Sequence, residues 1–341
     1  MLNRTFIDYL NLSLGVLDTE SMGRHIVDWM PDASESDETV SRGEFTASNH
    51  MSVTNFLSLR GLSMINEMCP NASVHEQASN LSNAIFRLMW HHDSFCDGVC
   101  EDVSNHSLVM TNMFALALGL QPEENLSVAF NILRSWGLEQ MGDYGAFWYQ
   151  LAMSGSYYSG SYEIPGDGTE IVEALTKCDT DSWCSGLLED NLTTTRESWH
   201  DGTYSHAWGA SPIVGITFGI TGVHALSPTY REFEVRPRLG PLRNISQTVP
   251  TLRGMINVTI IDATKVYVEI PCNTQATLCL PRSSGTGVKY SSKTHRLILD
   301  GVEVQGHDTR SGHFCTVEKV GCGVRCSGSS TGSRVLSGLL L

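Results

Sequence analysis

The stretch LSPTYREFEVRPRLGPL, residues 226–242, is where the chain changes its hydrophobic period. Within it the apolar Phe233 and Val235 alternate with the charged Glu232 and Glu234. Such alternation places apolar groups on one face of a strand and charges on the other. The same period of two recurs downstream in Val266, Val268 and Ile270, and again in Ala276, Leu278 and Leu280. In LILDGVEV, residues 297–304, Asp300 and Gly301 stand between two apolar runs. Those two residues readily take the positive φ that a two-residue hairpin turn requires. The last third of the chain therefore reads as an antiparallel β domain.

Upstream the period is that of a helix. Leu81, Ala84, Ile85, Leu88 and Met89 fall on one helical stripe. Another helix is expected to start near Pro122, with Glu123 and Glu124 in its first turn, where carboxylates face the positive end of the helix dipole. It is expected to carry Val128, Ile132 and Trp136 inward and to stop at Gly137. Further helices are expected over residues 53–68, 107–118, 146–153 and 170–175, joined by short loops that favour antiparallel neighbours. Helices followed by strands mean two domains rather than an alternating α/β sheet, so the expected class is mainly α with a β domain.

A chain of 341 residues is long enough for two domains, or for one helical barrel with an appendage. Asp and Glu number 37 against 22 Lys and Arg, a net charge of −15 that repels phosphate backbones and anionic lipid surfaces. Nucleic acid is thus not the expected partner, and no 18-residue apolar run is present to enter a membrane. A neutral polyol is compatible with that charge. Asn-x-Ser/Thr sequons begin at Asn3, Asn11, Asn71, Asn80, Asn105, Asn125, Asn191, Asn244 and Asn257, and there are ten cysteines. Together they point to a glycosylated, disulfide-bonded protein of the secretory pathway. Cys96–Cys100, Cys178–Cys184, Cys272–Cys279 and Cys322–Cys326 are close enough to pair locally, although spacing does not fix connectivity. The opening MLNRTFIDYLNLSLGV has no basic region followed by a continuous apolar run, so a secretion signal is expected elsewhere, in a longer polypeptide. The end, SGSSTGSRVLSGLLL, is of low complexity.

The segment NLTTTRESWHDGTYSHAWGASP, residues 191–212, concentrates the chemistry. Two carboxylates, two indoles, two histidines and several hydroxyls suit a sugar, whose C–H faces stack on aromatic rings while its hydroxyls meet polar groups. From composition alone Glu197 reads as a solvated surface acid near a helix end, His206 as a satisfied core histidine, and Trp199 and Trp208 as ordinary packing residues. HHDSFCDGVC, residues 91–100, with His106 beyond it, has zinc-ligand residue types, but cysteines among so many sequons favour disulfides. No metal or cofactor is expected. No phosphate loop, dinucleotide fingerprint or Gly-x-Ser-x-Gly elbow is present.

TTTRESW, SHAWGASP, a Gly-rich apolar helix, LSPTYREFEVRPRLGPL and VPTLRGMINVTI follow one another in an order that resembles the C-terminal third of the α-L-rhamnosidase family. Looser similarity runs back through FCDGVCEDVSNHSLVMTNMFALALGL and RGEFTASNHM to HIVDWMPD. The resemblance implies an incomplete (α/α)6 six-hairpin toroid over residues 1–224, a C-terminal antiparallel β-sandwich over 225–326, and a tail over 327–341. It implies a glycoside hydrolase that releases terminal α-L-rhamnosyl or related groups with inversion. Carried over by position, Glu197 is the general base, His206 contacts the sugar, and Trp199, Trp183 and Trp29 line the substrate site. Arg196 stands where the family has an aromatic or apolar residue, and an adjacent cation is expected to lower the pKa of Glu197. The family's general acid belongs to an upstream motif not matched here; the acidic run DASESDE, residues 32–38, reads as a solvated loop. Without an acid the chain is an inactive fragment of the enzyme, or a non-catalytic carbohydrate-binding glycoprotein derived from that family. A structural glycoprotein whose motif residues only pack is the third possibility.

Overall fold

The computed structural model describes residues 52–101, 109–134, 142–155, 168–178, 181–188, 191–199, 203–263, 265–281, 295–300, 302–309, 313–321 and 331–340. Trp29, the acidic run at 32–38, Trp136, Gly137, His106 and the pair Cys322 and Cys326 lie outside them. The chain forms two compact units, Met1–Trp136 and Gly137–Leu341.

In the first unit α1 (Ser52–Met68) buries Phe56, Leu59, Leu62 and Ile65 against its neighbours. A short turn leads to α2 (Ala72–Leu88), whose first turn is capped by the Asn71 side-chain oxygen accepting from the amides of Ser73 and Val74. Leu81, Ala84, Ile85 and Met89 of the expected stripe are buried. Strands β1 (Trp90–His91) and β2 (Ser94–Phe95) form a two-stranded ribbon. From it Phe95 packs edge-on to Phe56 at 4.8 Å. A disulfide joins Cys96 to Cys100, as their spacing suggests. No cluster of three or more metal-ligating side chains occurs among the described residues.

Helix α3 (Val109–Ala117) is buried along its whole length. A 3₁₀ turn (Glu123–Asn125) then opens α4 (Leu126–Arg134). This helix is rotated from the expected facing: Ala129, Phe130 and Leu133 are buried, while Val128 and Ile132 are only half-buried. The ring of Phe130 removes more apolar surface from water than either aliphatic side chain, and it decides the face.

The second unit opens with α5 (Gly142–Ser154), α6 (Thr169–Thr176) and α7 (Trp183–Leu188). A further turn, α8 (Pro212–Val214), runs into a π-helical segment (Gly215–Ile220). The glycines of that segment allow close packing. A Cβ on Gly215 would lie 2.1 Å from Gln150 Oε1 of α5, and one on Gly219 would lie 2.3 Å from Ile171 Cδ1 of α6. Cys178 is bonded to Cys184 as expected.

Two six-stranded sheets follow. The first has the order β10 (Val302–Val304), β9 (His295–Leu299), β14 (Thr331–Leu340), β7 (Lys265–Pro271), β6 (Gly254–Ile261), β5 (Ile245–Thr251). The second has the order β11 (Gly306–Asp308), β12 (His313–Thr316), β8 (Gln275–Pro281), β4 (Glu232–Val235), β3 (Val223–Ala225), with β13 (Val320–Gly321) also on β8. The apolar positions of the alternation are buried: Phe233, Val235, Val266, Val268, Ile270, Ala276 and Leu278 are all at most 1% exposed, and Leu280 is buried too. The charged positions of β4 do not all face water, because Glu234 is buried as well, its carboxylate paired with Arg236 at 2.8 Å. Asp300 takes φ 52° and Leu299 pairs with Val302, closing the β9–β10 hairpin where expected.

Three further features depart from expectation. The sheets are not wholly antiparallel, because β4 and β8 pair in parallel. A parallel pair needs a long crossover, and β5, β6 and β7 form it. Cys279 is bonded to Cys315 rather than to Cys272, because β12 lies beside β8 with these two cysteines in register. Residues 331–340 of the low-complexity end form β14, hydrogen-bonded between β7 and β9. Two neighbouring strands supply partners for its backbone groups whatever its composition.

Candidate active site

The segment between α7 and α8 doubles back on itself. Arg196 and Tyr204 form an isolated antiparallel bridge. The Glu197 amide donates to the Thr203 carbonyl (3.0 Å), and the Ser205 amide donates to the Thr195 carbonyl (2.7 Å). The Thr195 hydroxyl donates to the His206 carbonyl at 2.6 Å, and the Trp208 indole N–H donates to the Glu197 carbonyl at 2.6 Å. Gly209 makes this packing possible, since a Cβ there would lie 2.4 Å from the Arg196 carbonyl oxygen.

Glu197 and His206 meet on one face of the turn. Glu197 Oε2 accepts from both the Thr203 amide and the Thr203 hydroxyl, each at 2.8 Å. The same hydroxyl is 2.8 Å from His206 Nδ1, which is itself 3.7 Å from Glu197 Oε2. The His206 ring lies on Trp208 with centroids 4.0 Å apart, and Trp208 meets Tyr144 of α5 edge-on at 5.2 Å. The two Thr203 hydrogen bonds hold the Glu197 carboxyl below the ordinary glutamate range, with a smaller contribution from nearby His206. The side chain is 37% exposed, so its ionised oxygens remain accessible to water.

Arg196 does not supply the lowering expected of it. Adjacent residues in an extended segment point to opposite faces, and the Arg196 guanidinium donates to the Trp199 carbonyl. On that other face Trp183 and Trp199 meet edge-on at 5.1 Å, and the Trp183 indole N–H donates to the Gly209 carbonyl at 3.0 Å. Here a cavity of about 370 Å³ is lined by Trp183, Trp199, Arg196, Asp143, Leu192 and Ile213, among others. Glu197 and His206 are not in its lining. The residues singled out in the sequence thus fall into two groups: Glu197 with His206, and Trp183 with Trp199. Thr203 and Tyr144 were missed. A threonine three residues before the histidine is the only trace that Thr203 leaves in the sequence.

Residues 222–295 match the family model of the bacterial α-L-rhamnosidase C-terminal domain. The α-L-rhamnosidase of Dictyoglumus thermophilum superposes with TM-score 0.59 and 13% identity, over 83% of this chain and 31% of that one. In fold the chain is α-L-rhamnosidase-like. The GH78 family rhamnosidase of Bacillus sp. GL1 gives TM-score 0.53 and 16% identity, over 76% of this chain and 27% of that one. The α-L-rhamnosidase of Aspergillus terreus gives 0.51 and 17%, over 75% and 31%. The chain therefore spans less than a third of the length of each of these rhamnosidases. No curated protein matches it by sequence. Among the described residues no helix is long and apolar enough to cross a membrane.

Proposed function

We propose that the chain is the C-terminal part of a secreted, glycosylated glycoside hydrolase of the α-L-rhamnosidase type. Its substrate is a terminal α-L-rhamnosyl or related glycoside, hydrolysed with inversion. Glu197 acts as general base, drawing a proton from the attacking water. His206 holds the sugar beside it. The observation that carries this reading is the Glu197 carboxylate, kept ionised by two hydrogen bonds from Thr203 yet open to water. It stands just upstream of the segment that matches the rhamnosidase C-terminal domain. The fold that goes with it is part of an (α/α)6 barrel handing over to a β-sandwich at about residue 225.

Inverting hydrolysis needs a second carboxyl group, about 6.5–9.5 Å from the base, to protonate the leaving oxygen. In this reading that acid comes from the remainder of the enzyme, and the chain alone turns over little or nothing. The test uses the complete enzyme on an aryl α-L-rhamnoside. Glu197→Gln removes the base and is expected to lower kcat about 10²–10⁴-fold, with the product's initial anomer inverted in the parent. Full activity in that variant would refute the assignment.

A second reading is favoured by the cavity beside Trp183 and Trp199, which does not include Glu197. The chain would then be a carbohydrate-binding protein with aromatic contacts kept and catalysis lost. Rhamnose binding that Trp183→Ala abolishes, without turnover in the complete enzyme, would select it.

A further inference from the structure

Thr203 stands between the two polar groups of the site, its Oγ1 2.8 Å from Glu197 Oε2 and 2.8 Å from His206 Nδ1. A hydroxyl has one proton and can donate it to only one of these neighbours. An ionised carboxylate accepts and never donates. Glu197 Oε2 therefore takes the Thr203 hydroxyl proton as well as the Thr203 amide proton, and Oγ1 presents only lone pairs to His206. At 2.8 Å a bare Nδ1 would face those lone pairs with one of its own, so Nδ1 carries a hydrogen. In a neutral imidazole the other nitrogen, Nε2, is then an acceptor. The opposite direction, with Thr203 donating to His206, would leave Oγ1 facing Oε2 without a proton between them unless Glu197 were protonated. The Trp208 ring 4.0 Å away confines the plane of the imidazole.

We propose that Thr203 is a positioning residue that fixes His206 as the Nδ1–H tautomer, so that Nε2 meets a bound sugar as an acceptor of a hydroxyl proton. The ligand in this statement rests on the glycosidase reading above; the tautomer rests on the hydrogen-bond geometry. The chain already carries the group that reads hydroxyl direction, and its polarity is set by a residue that needs no contact with the sugar.

The test is ¹⁵N NMR of the histidine side chains at about pH 8.5, where an imidazole is ordinarily neutral. The His206 signals are assigned by their disappearance in His206→Gln. The expected result is a protonated Nδ1 and a bare Nε2 in the parent chain, loss of that preference in Thr203→Val, and its return in Thr203→Ser. A parent His206 protonated at Nε2 overturns the proposal without any variant. So does a folded Thr203→Val chain that keeps the Nδ1–H form. A tautomer as expected in an enzyme that hydrolyses no rhamnoside would instead leave this inference standing and remove the glycosidase reading.

Discussion

Replacing Cys279 and Cys315 together with alanine separates two kinds of covalent link in the second unit. These residues are 0% and 1% exposed, and their link closes a loop of 36 residues between β8 and β12. The Cys178–Cys184 link closes only six. In the chain-entropy view a cross-link stabilises by restricting the unfolded chain, and the effect grows with the logarithm of loop length. That gives about 4 kcal/mol for the long loop and about 2 kcal/mol for the short one. Alanine suits the buried positions because serine would add hydroxyls to satisfy. For a unit of this size, 4 kcal/mol lowers the melting midpoint by roughly 8–16 °C, and 2 kcal/mol by about half as much. Thermal unfolding of both double variants, followed by near-ultraviolet circular dichroism, measures the contrast. Non-reducing peptide mapping checks the connectivity. A Cys279/Cys315 variant that melts no lower than the Cys178/Cys184 variant would refute the reasoning.

In the first unit Phe130→Ala should cost about 3–5 kcal/mol, and Val128→Ala about 1 kcal/mol; equal losses in denaturant titration would restore the facing expected from periodicity. His224, partly buried on β3, has its pKa lowered to about 4 by burial and then by the nearby Arg236. The unfolded chain takes up this proton near pH 6.5 and the folded chain only near 4, so stability is intact above 6.5 and is lost as pH falls between the two. The loss is at most about 3 kcal/mol, and His224→Phe should flatten that stretch of the stability–pH curve. Gly209→Ala should displace the Arg196 backbone and lower activity with a destabilisation of about 1–3 kcal/mol; an unchanged Glu197 titration in that variant would show that the turn tolerates a methyl group.

Local pattern made much of the fold legible. The helices expected over 53–68 and 107–118, the stripe from Leu81 to Met89, most of the strand alternation and the Asp300 turn each depend on residues within one or two turns of each other in sequence. What escaped was non-local. No periodicity distinguishes a parallel from an antiparallel partner for Phe233 and Val235, and no spacing tells Cys279 to prefer Cys315 over nearby Cys272. The facing of α4 turned on the size of one ring. At the site, Glu197 and His206 stand out by residue type, and the structure brings them together. The separation of Trp199 from Glu197, only two residues earlier, follows from the bends over residues 197–199, which break strand alternation and leave no trace in the sequence. Thr203 escaped because a hydroxyl is common in this composition and acquires meaning only through its two 2.8 Å contacts.

The parallel pairing of β4 with β8 also sets a timetable for synthesis. β4 ends at Val235 and its partner begins at Gln275, with a whole series of hairpin strands between them. At roughly 5–20 residues per second, a ribosome leaves that edge of β4 open for roughly 2–8 s. During that interval β4, the second strand after the candidate site, presents unpaired backbone groups to any other nascent chain. Translation slowed between residues 236 and 274 should therefore lower the yield of soluble protein, without any change in the finished molecule.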